Sequence, residues 1–344
     1  MDYIQYWLNA NNTYRVVFIQ NQASWFVVTG SDFEIDAHNT GGIQGNGQVS
    51  SPRPKYGYVQ LNPCQAWWSY YATRTRLDGD GRPISLTLWK AVNGVVRNFR
   101  IESPPFWSNT VAQSNNIVYD GMFVNATNTD PLYKGKKSDN ISLMNWDVTC
   151  GDDCLAIKGN STNLDIRNII CRGGNGIAIG SLGQYVDMPD IVRNVHMQNL
   201  QVYLKTWDGT ANGVPPTAGG GANGSVTNIV AENVSVDRVT VPIHLYQTNG
   251  GHSGDAPSSI KFQGLSFINW TGTAIANKIV DIECSPAVGC DNISFAKYSI
   301  APPTNQTGSS LHRFGLNVQM SGEIKFRNNV GKLNVVKIRD RYDT

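Results

Sequence analysis

One short residue pattern recurs through most of the chain and limits the folds that it can adopt. Most copies start with Asn, alternate aliphatic and polar residues, pass through an Asn, Asp or Gly, and then alternate again. The starts of successive copies are separated by 23 to 34 residues. The eight copies are 93–101, 116–124, 140–148, 163–170, 194–202, 228–236, 259–267 and 292–300.

This pattern predicts strands and no helices. Alternation with a period of two is typical of a strand, and a central residue that tolerates a left-handed backbone allows a bend. We therefore predict two short strands in each copy, hinged at that residue. No copy has a helical period that could supply a βαβ crossover. The units stack most simply as an all-β parallel β-helix of roughly ten coils, with asparagine ladders between coils. A meandering β-sandwich is the alternative, and it predicts hairpin turns instead.

Composition narrows the function of such a fold. The chain has 344 residues, of which only 16% are charged, and its net charge is +2. The charges form no long blocks of one sign, so we expect no nucleic-acid partner. No run approaches the roughly 18 apolar residues of a membrane span, so we expect no membrane partner. We predict one catalytic domain over residues 1–344, acting as a monomer and preceded by a missing segment that includes a signal peptide.

The cysteines and glycosylation sequons indicate the extracellular space. Six cysteines allow 15 pairings if all are bridged. Nine Asn-x-Ser/Thr sequons begin at Asn11, Asn125, Asn140, Asn160, Asn223, Asn233, Asn269, Asn292 and Asn305. An even number of cysteines together with many sequons predicts a secreted glycoprotein.

Three aspartates fall at intervals of one coil. Asp130 is followed after 22 and 23 residues by Asp152 and Asp153, after a further 22 by Asn175, and after a further 30 by Lys205. Residues one coil apart lie about 4.8 Å apart in a stack, so these five residues fit one stripe. Asp152 and Asp153 can both face that stripe only if the chain turns beside them.

Carboxylates crowded in this way can perform acid and base chemistry. One carboxyl group donates a proton to a leaving oxygen while the others activate water. Taken singly, Asp130 reads as a turn residue and Lys205 as a solvated lysine. The Asp pair lacks further oxygen ligands at calcium-loop spacing, so we expect no metal and no cofactor. The shared interval favours a catalytic site, because a turn residue requires no such spacing.

These motifs resemble glycoside hydrolase family 28, the polygalacturonase family of right-handed parallel β-helices that act on pectin. The resemblance is carried by four segments in order, and the repeat extends it over nearly the whole chain. The segments are Asn128-Thr129-Asp130, Gly151-Asp152-Asp153-Cys154, Gly174-Asn175-Gly176-Ile177-Ala178-Ile179-Gly180-Ser181-Leu182-Gly183 and Tyr203-Leu204-Lys205-Thr206.

The resemblance implies roles for individual residues. It implies an inverting hydrolase in which Asp152 is the general acid and Asp130 and Asp153 activate water. Lys205 would contact the carboxylate of a galacturonate, and Asn175 would also bind substrate. It further implies a disulfide between Cys154 and Cys171. Cys284 and Cys290, which are close in sequence, are expected to form a second, which leaves Cys64 and Cys150 as a third pair.

Two departures from the family pattern suggest exo-action. Asn175 stands where endo-acting members have histidine, and Tyr203 stands where the family has arginine, so one of two expected cations is missing. The segment around Asn175 resembles fungal exo-acting galacturonidases and exo-rhamnogalacturonases. Inserts at 206–224 and 247–257 could wall off one end of a groove, or could be unrelated surface loops.

Among the other ring-bearing side chains, most read as scaffold. Buried ladders are the usual place for aromatic residues in a β-helix, so Trp67, Trp68, Tyr70, Tyr71 and Trp107 are expected there. Trp207, two positions after Lys205, is expected to contact sugar along with Tyr203. His196 and His244 lie in alternating strand patterns and read as scaffold unless they line the groove.

We therefore expect a secreted, inverting exo-hydrolase that releases galacturonate from the non-reducing ends of galacturonan or rhamnogalacturonan. One alternative is an α-L-rhamnosidase that acts on rhamnogalacturonan ends. A second alternative, from a different class, is a carbohydrate-binding β-helix without catalytic activity.

Overall fold

Two mainly parallel sheets enclose the main apolar core in the computed structural model of the chain. The residues that the structure describes are 6–7, 9–17, 21–45, 47, 67, 82–126, 141–198, 202–211, 213, 215, 218–249, 256–276, 278–301, 310–314, 318–327 and 333–338. Among them no helix is long and apolar enough to cross a membrane. Strands account for most of the described chain, as the repeat predicts.

The elements follow in chain order. They are a 3₁₀ turn (Ala10–Asn12) and the strands β1 (Tyr14–Val17), β2 (Gln22–Asp36), β3 (Gly42–Gln44), β4 (Ile84–Arg97), β5 (Arg100–Glu102), β6 (Asn109–Ala112), β7 (Asn115–Asp120), β8 (Phe123–Asn125), β9 (Ile141–Thr149), β10 (Asp153–Ile157), β11 (Ser161–Arg172), β12 (Gly176–Leu182), β13 (Asp190–Gln198), β14 (Val202–Trp207), β15 (Asn223–Val239), β16 (Ile243–Asn249), β17 (Ser259–Ala274), β18 (Lys278–Glu283), β19 (Cys290–Ala301), β20 (Ser310–Phe314), β21 (Val318–Arg327) and β22 (Leu333–Ile338).

The chain alternates between a large sheet and a small sheet. The large sheet stacks β2, β4, β7, β9, β11, β13, β15, β17, β19 and β21 in parallel, and the small sheet stacks β10, β12, β14, β16, β18 and β20 in parallel. Antiparallel pairs occur in the described chain only at its two ends, β1 with β2 and β21 with β22. The parallel β-helix is confirmed, and the sandwich alternative, which needs hairpins throughout, is wrong.

The repeat differs from the prediction in one respect. Each copy was expected to form two short strands, yet a single strand runs through the hinge in most coils. Asn145 lies within β9 and Asn168 within β11, at φ values of 58° and 53°. One left-handed residue bends a strand without ending its hydrogen bonding to the neighbouring coil.

The predicted asparagine ladders are present at left-handed residues of the repeat, both at the central hinges and at the first residues of copies. Each ladder joins corner residues one coil apart through their side-chain amides, at distances of 2.8 to 3.2 Å. Asn228 Nδ2 donates to Asn194 Oδ1 at 3.1 Å, and Asn194 Nδ2 donates to Asn163 Oδ1 at 2.8 Å. The ladders tie successive coils together where the backbone leaves regular strand geometry.

The core lies between the two sheets and consists of aliphatic and aromatic side chains from alternate strand positions. Rings from neighbouring coils stack, Phe267 on Phe295 at 5.3 Å and Trp270 on Tyr298 at 5.8 Å. Trp67 and Trp107 are buried, as expected for scaffold residues. Trp68, Tyr70 and Tyr71 lie outside the described residues. The core fixes the coil register on which the site depends.

Candidate active site

Three successive strands of the small sheet place the predicted site residues side by side. Asp153 opens β10, Asn175 immediately precedes β12, and Lys205 lies in β14. The parallel pairing of these strands stacks Asp153 on Gly176 and Ala178 on Tyr203. The interval of one coil seen in the sequence therefore becomes proximity in space.

One amide bridges the two carboxylates. Asn175 Nδ2 lies 3.0 Å from Asp152 Oδ1 and 3.0 Å from Asp153 Oδ1. An amide nitrogen carries two hydrogens, so it can donate one to each carboxylate. The two Oδ1 atoms are then no more than about 6 Å apart, twice the 3.0 Å that separates each from the shared nitrogen. Both aspartates face the same side of the sheet.

A lysine lies beside the acidic pair. Lys205 Nζ lies 3.7 Å from Asp153 Oδ2, and the two side chains are only 8% and 0% exposed. Asp152 is 3% exposed. Charges this far from water are weakly screened by salt, so this ion pair is stronger than an exposed one at the same distance. The site therefore combines a buried acidic pair with a buried lysine. The interpretation of Lys205 as a solvated surface lysine is wrong.

A close backbone approach makes the shared amide possible. The main-chain N–H of Asn175 donates to the Asp152 carbonyl oxygen at 2.8 Å. A Cβ at Gly174 would collide with that same carbonyl oxygen, whereas a Cβ at Gly151 would meet nothing within 4 Å. The glycine that the geometry requires is thus Gly174.

A disulfide fastens the same corner. Cys154 is bonded to Cys171, and Cys284 is bonded to Cys290. The first pair agrees with the family resemblance, and the second agrees with the closeness of the two cysteines in sequence. The first bond ties the strand of the acidic pair to the strand that leads into Gly173 and Gly174.

The third predicted pair is wrong for Cys150. This cysteine is a free thiol, with Sγ 3.3 Å from Cys154 Sγ and 3.2 Å from the Asp152 carbonyl oxygen. Spacing in the sequence does not show which of two neighbouring cysteines forms the bond. In the fold, the sulfur beside Cys150 is that of Cys154, which is already bonded to Cys171. Its expected partner, Cys64, lies outside the described residues.

A cluster of three rings lies on the outer face of the small sheet beside the lysine. Tyr203 stacks on His244 at 5.3 Å, and His244 stacks on Tyr246 at 5.0 Å. Burial raises the pKa of Tyr203 well above its ordinary value, and hydrogen bonding to Tyr246 raises it further. The phenol therefore stays neutral, and Lys205 Nζ lies 4.8 Å from the centre of its ring. The scaffold interpretation of His244 is thus incomplete.

The remaining residues singled out in the sequence lie at different distances from the acidic pair or outside the described chain. Trp207 is half-buried and follows Lys205 across an irregularity in strand register. His196 lies on the large sheet, 3.4 Å from Asp165 and 2.9 Å from Glu232, in agreement with the scaffold interpretation. Asp130, the third predicted carboxylate, lies outside the described residues.

The described parts of the two inserts pack against each other. Gly209 N donates to the Ala256 carbonyl at 2.7 Å, and Thr206 Oγ1 donates to Ser258 Oγ at 3.0 Å. Gly220 N donates to the Gln184 carbonyl at 3.0 Å. The inserts and the segment after β12 form one layer, and a groove wall made from that layer stays a prediction.

Two neighbouring carboxylates are the usual catalytic groups of glycoside hydrolases, and here such a pair lies on stacked coils of a β-helix. Comparison with known proteins gives the family. The chain belongs to glycosyl hydrolases family 28, whose family model matches residues 4–314. It is therefore a glycoside hydrolase.

Individual relatives are fungal. The chain is 33% identical to "Putative galacturan 1,4-alpha-galacturonidase A" of Aspergillus niger, over 90% of this chain and 75% of the relative. It is 31% identical to Alpha-L-rhamnosidase rgxB of the same species, over 91% and 72%. It is 30% identical to Exopolygalacturonase X of that species, over 82% and 65%.

Solved structures support the fold. The endo-xylogalacturonan hydrolase of Aspergillus tubingensis superposes with a TM-score of 0.60 at 17% identity, covering 87% of this chain and 81% of that one. The family 28 exopolygalacturonase of Yersinia enterocolitica gives 0.52 at 13% identity, covering 90% and 65%. These likenesses confirm the right-handed parallel β-helix.

Proposed function

We propose that the protein is an exo-acting pectin hydrolase that releases galacturonate from the non-reducing ends of galacturonan or rhamnogalacturonan. The observation that carries this proposal is the buried pair Asp152 and Asp153, bridged by Asn175 and adjoined by Lys205. The names of the relatives in family 28, a galacturonidase and an exopolygalacturonase, support the substrate. In this proposal a single β-helix domain carries out the reaction, and it uses no cofactor.

In the proposed reaction, Asp152 donates a proton to the glycosidic oxygen as the bond to the terminal sugar breaks. Asp153, together with Asp130, accepts a proton from the attacking water. Asn175 keeps both carboxylates on one face through its two N–H groups. Lys205 binds the substrate carboxylate, as a point charge on a flexible stem can. Tyr203 and Trp207 complete the sugar contacts.

The stereochemistry needs a separate test. Carboxyl groups about 6.5 to 9.5 Å apart leave room for water and lead to inversion. Asp152 and Asp153 approach more closely than this, since their Oδ1 atoms share one nitrogen. Inversion therefore rests on Asp130 and on the family resemblance. Proton NMR of the first product should show the β-anomer from an α-linked substrate, whereas the α-anomer would indicate a covalent intermediate.

A terminal rhamnose is the second candidate product. One relative is named an α-L-rhamnosidase, and Tyr203 stands where a second cation for a uronate was expected. Lys205 separates the two candidates, because rhamnose carries no carboxylate. Lys205→Ala should raise KM sharply for an acidic terminal sugar and leave KM for a rhamnose terminus nearly unchanged.

Product analysis on three substrates tests the proposal. The substrates are oligogalacturonate, rhamnogalacturonan oligomers that end in galacturonate, and the same oligomers that end in rhamnose. Free galacturonate from either of the first two supports the proposal and shows which linkage is cut. Free rhamnose from the third would make the protein a rhamnosidase, and no product from any of them would indicate a binding protein.

We also propose that the protein is secreted and works as a monomer on pectic polysaccharide, without nucleic-acid or membrane partners. Two disulfides support an oxidising compartment. Peptide mapping of protein from culture medium would show which sequons carry glycans.

A further inference from the structure

His244 lies on the outer face of the small sheet, one coil beyond Tyr203. In β16 the side chains of His244 and Tyr246 are half-buried, while Leu245 between them is fully buried in the core. Strand pairing places His244 directly over Tyr203 of β14 and directly under Asp281 of β18. His244 therefore belongs to the same outer surface as Lys205.

The contacts of this histidine favour a positive charge. Its Nε2 lies 3.8 Å from Asp281 Oδ2, whose side chain is 7% exposed. Its ring lies against the rings of Tyr203 and Tyr246, at interplanar angles of 29° and 21°, and those two tyrosine rings also contact each other at 5.7 Å. A buried carboxylate and aromatic ring faces both stabilise an imidazolium.

Titratable and charged groups face His244 from both neighbouring strands in the described part of the chain. From β14 they are Tyr203 and Lys205, and from β18 they are Asp281 and Glu283. Tyr246 lies on its own strand. Of these, only Lys205 opposes protonation, and its ammonium is directed toward Asp153 at 3.7 Å. Among these described groups, two carboxylates stand against one ammonium.

His244 lies close to the place where the family pattern leads us to expect a second cation. Tyr203 replaces the arginine that should accompany Lys205 in binding a uronate, and a titratable ring now lies against Tyr203 from the next coil. We propose that protonated His244 binds the uronate carboxylate jointly with Lys205, so that affinity for acidic sugars falls as the imidazole loses its proton. The inference rests on the proposed function and names the group that replaces the missing cation.

The sign of the pH effect follows from histidine chemistry. Histidine changes charge between about pH 5 and 8, whereas a uronate carboxyl stays ionised throughout that range. A charge-assisted contact is present at the acid end of the range and absent at the other. Its loss should weaken uronate binding at least about tenfold.

Binding calorimetry with trigalacturonate tests this inference. The background is Asp152→Asn, which limits turnover, measured at pH 5 and at pH 7.5. We expect the Kd to rise at least tenfold between the two pH values. His244→Gln should give the weaker Kd at both, and His244→Arg should restore tight binding at both, because its charge does not titrate. Galactotriose, which has no carboxylate, should show no dependence on pH or on these variants.

His196→Gln is the matched control. His196 is 35% exposed against 32% for His244 and also pairs with a carboxylate, but it lies on the large sheet. It should leave every Kd unchanged. Two results would overturn this inference and leave the proposed function intact. One is a pH dependence that persists in His244→Gln. The other is a His244→Arg variant that unfolds normally yet fails to restore binding. No binding of trigalacturonate at either pH, with no product from the unmodified enzyme, would overturn the proposed function as well.

Discussion

At the scale of single residues, Gly174 decides whether the two carboxylates can share one amide. Its backbone lies so close to the Asp152 carbonyl that no side chain fits between them. Gly151, directly before the acidic pair in sequence, has open space around its Cβ position. The sequence draws attention to Gly151 because of its neighbours, and only the fold shows where the crowding is.

Gly174→Ala should therefore lower kcat about 100-fold, since a displacement of about 1 Å in a catalytic group has an effect of that size. Gly151→Ala is the control and should retain more than half of the activity. Initial rates of galacturonate release measure both. Equal activities in the two variants would show that the backbone approach at Gly174 does not position the acids.

Cys150 gives a second test at this scale. Burial raises the pKa of its thiol to about 11, so at pH 8 almost all of it is protonated and unreactive. In the folded protein, alkylation of Cys150 by iodoacetamide should be slow at pH 8 and should accelerate about tenfold per unit of pH toward 11. Mass spectrometry of the peptide that contains Cys150 measures the rate. Fast modification at pH 8 that matches the rate in urea would contradict the burial.

At the scale of elements, the asparagine corners hold the coils in register. Asn194 both donates to Asn163 and accepts from Asn228, at a φ of 54°. An L-residue in the left-handed region is destabilised by about 1 to 2 kcal/mol unless its side chain bonds locally, and glycine avoids that cost. The ladder therefore contributes through both conformation and hydrogen bonding.

Asn194→Ala should lower the free energy of unfolding by about 2 to 3 kcal/mol, because it removes two hydrogen bonds and strains the corner. Asn194→Gly keeps the corner conformation and should cost only about 1 kcal/mol. Urea denaturation followed by tryptophan fluorescence compares them. Equal losses in the two variants would mean that backbone conformation plays no part.

The same corners explain the excess of sequons. Asn233 and Asn269 are ladder residues joined at 2.9 Å, and each begins an Asn-x-Ser/Thr sequence. A strand that resumes alternation after a corner places a polar residue two positions on, which is often Ser or Thr. The repeat alone can thus account for many of the sequons. Their number is therefore weaker support for secretion than the two disulfides are.

At the scale of the whole molecule, the repeat was sufficient to predict the β-helix, and the one-coil interval was sufficient to bring Asp153, Asn175 and Lys205 together. The place of His244 could not be predicted in the same way. It lies 41 residues after Tyr203 although the two are in register, because the insert at 206–224 lengthens the coil between them. Intervals identify neighbours only where coils have similar lengths.

The central claim is that the acidic pair of the small sheet hydrolyses galacturonate-ended pectic chains, with Asp152 as the acid. The most direct test is galacturonate release by Asp152→Asn, beside Asp165→Asn on the large sheet as a control. We expect Asp152→Asn to lose at least about 99.9% of turnover while unfolding at the same temperature, and the control to keep its activity. More than about a tenth of the rate remaining in Asp152→Asn would contradict it.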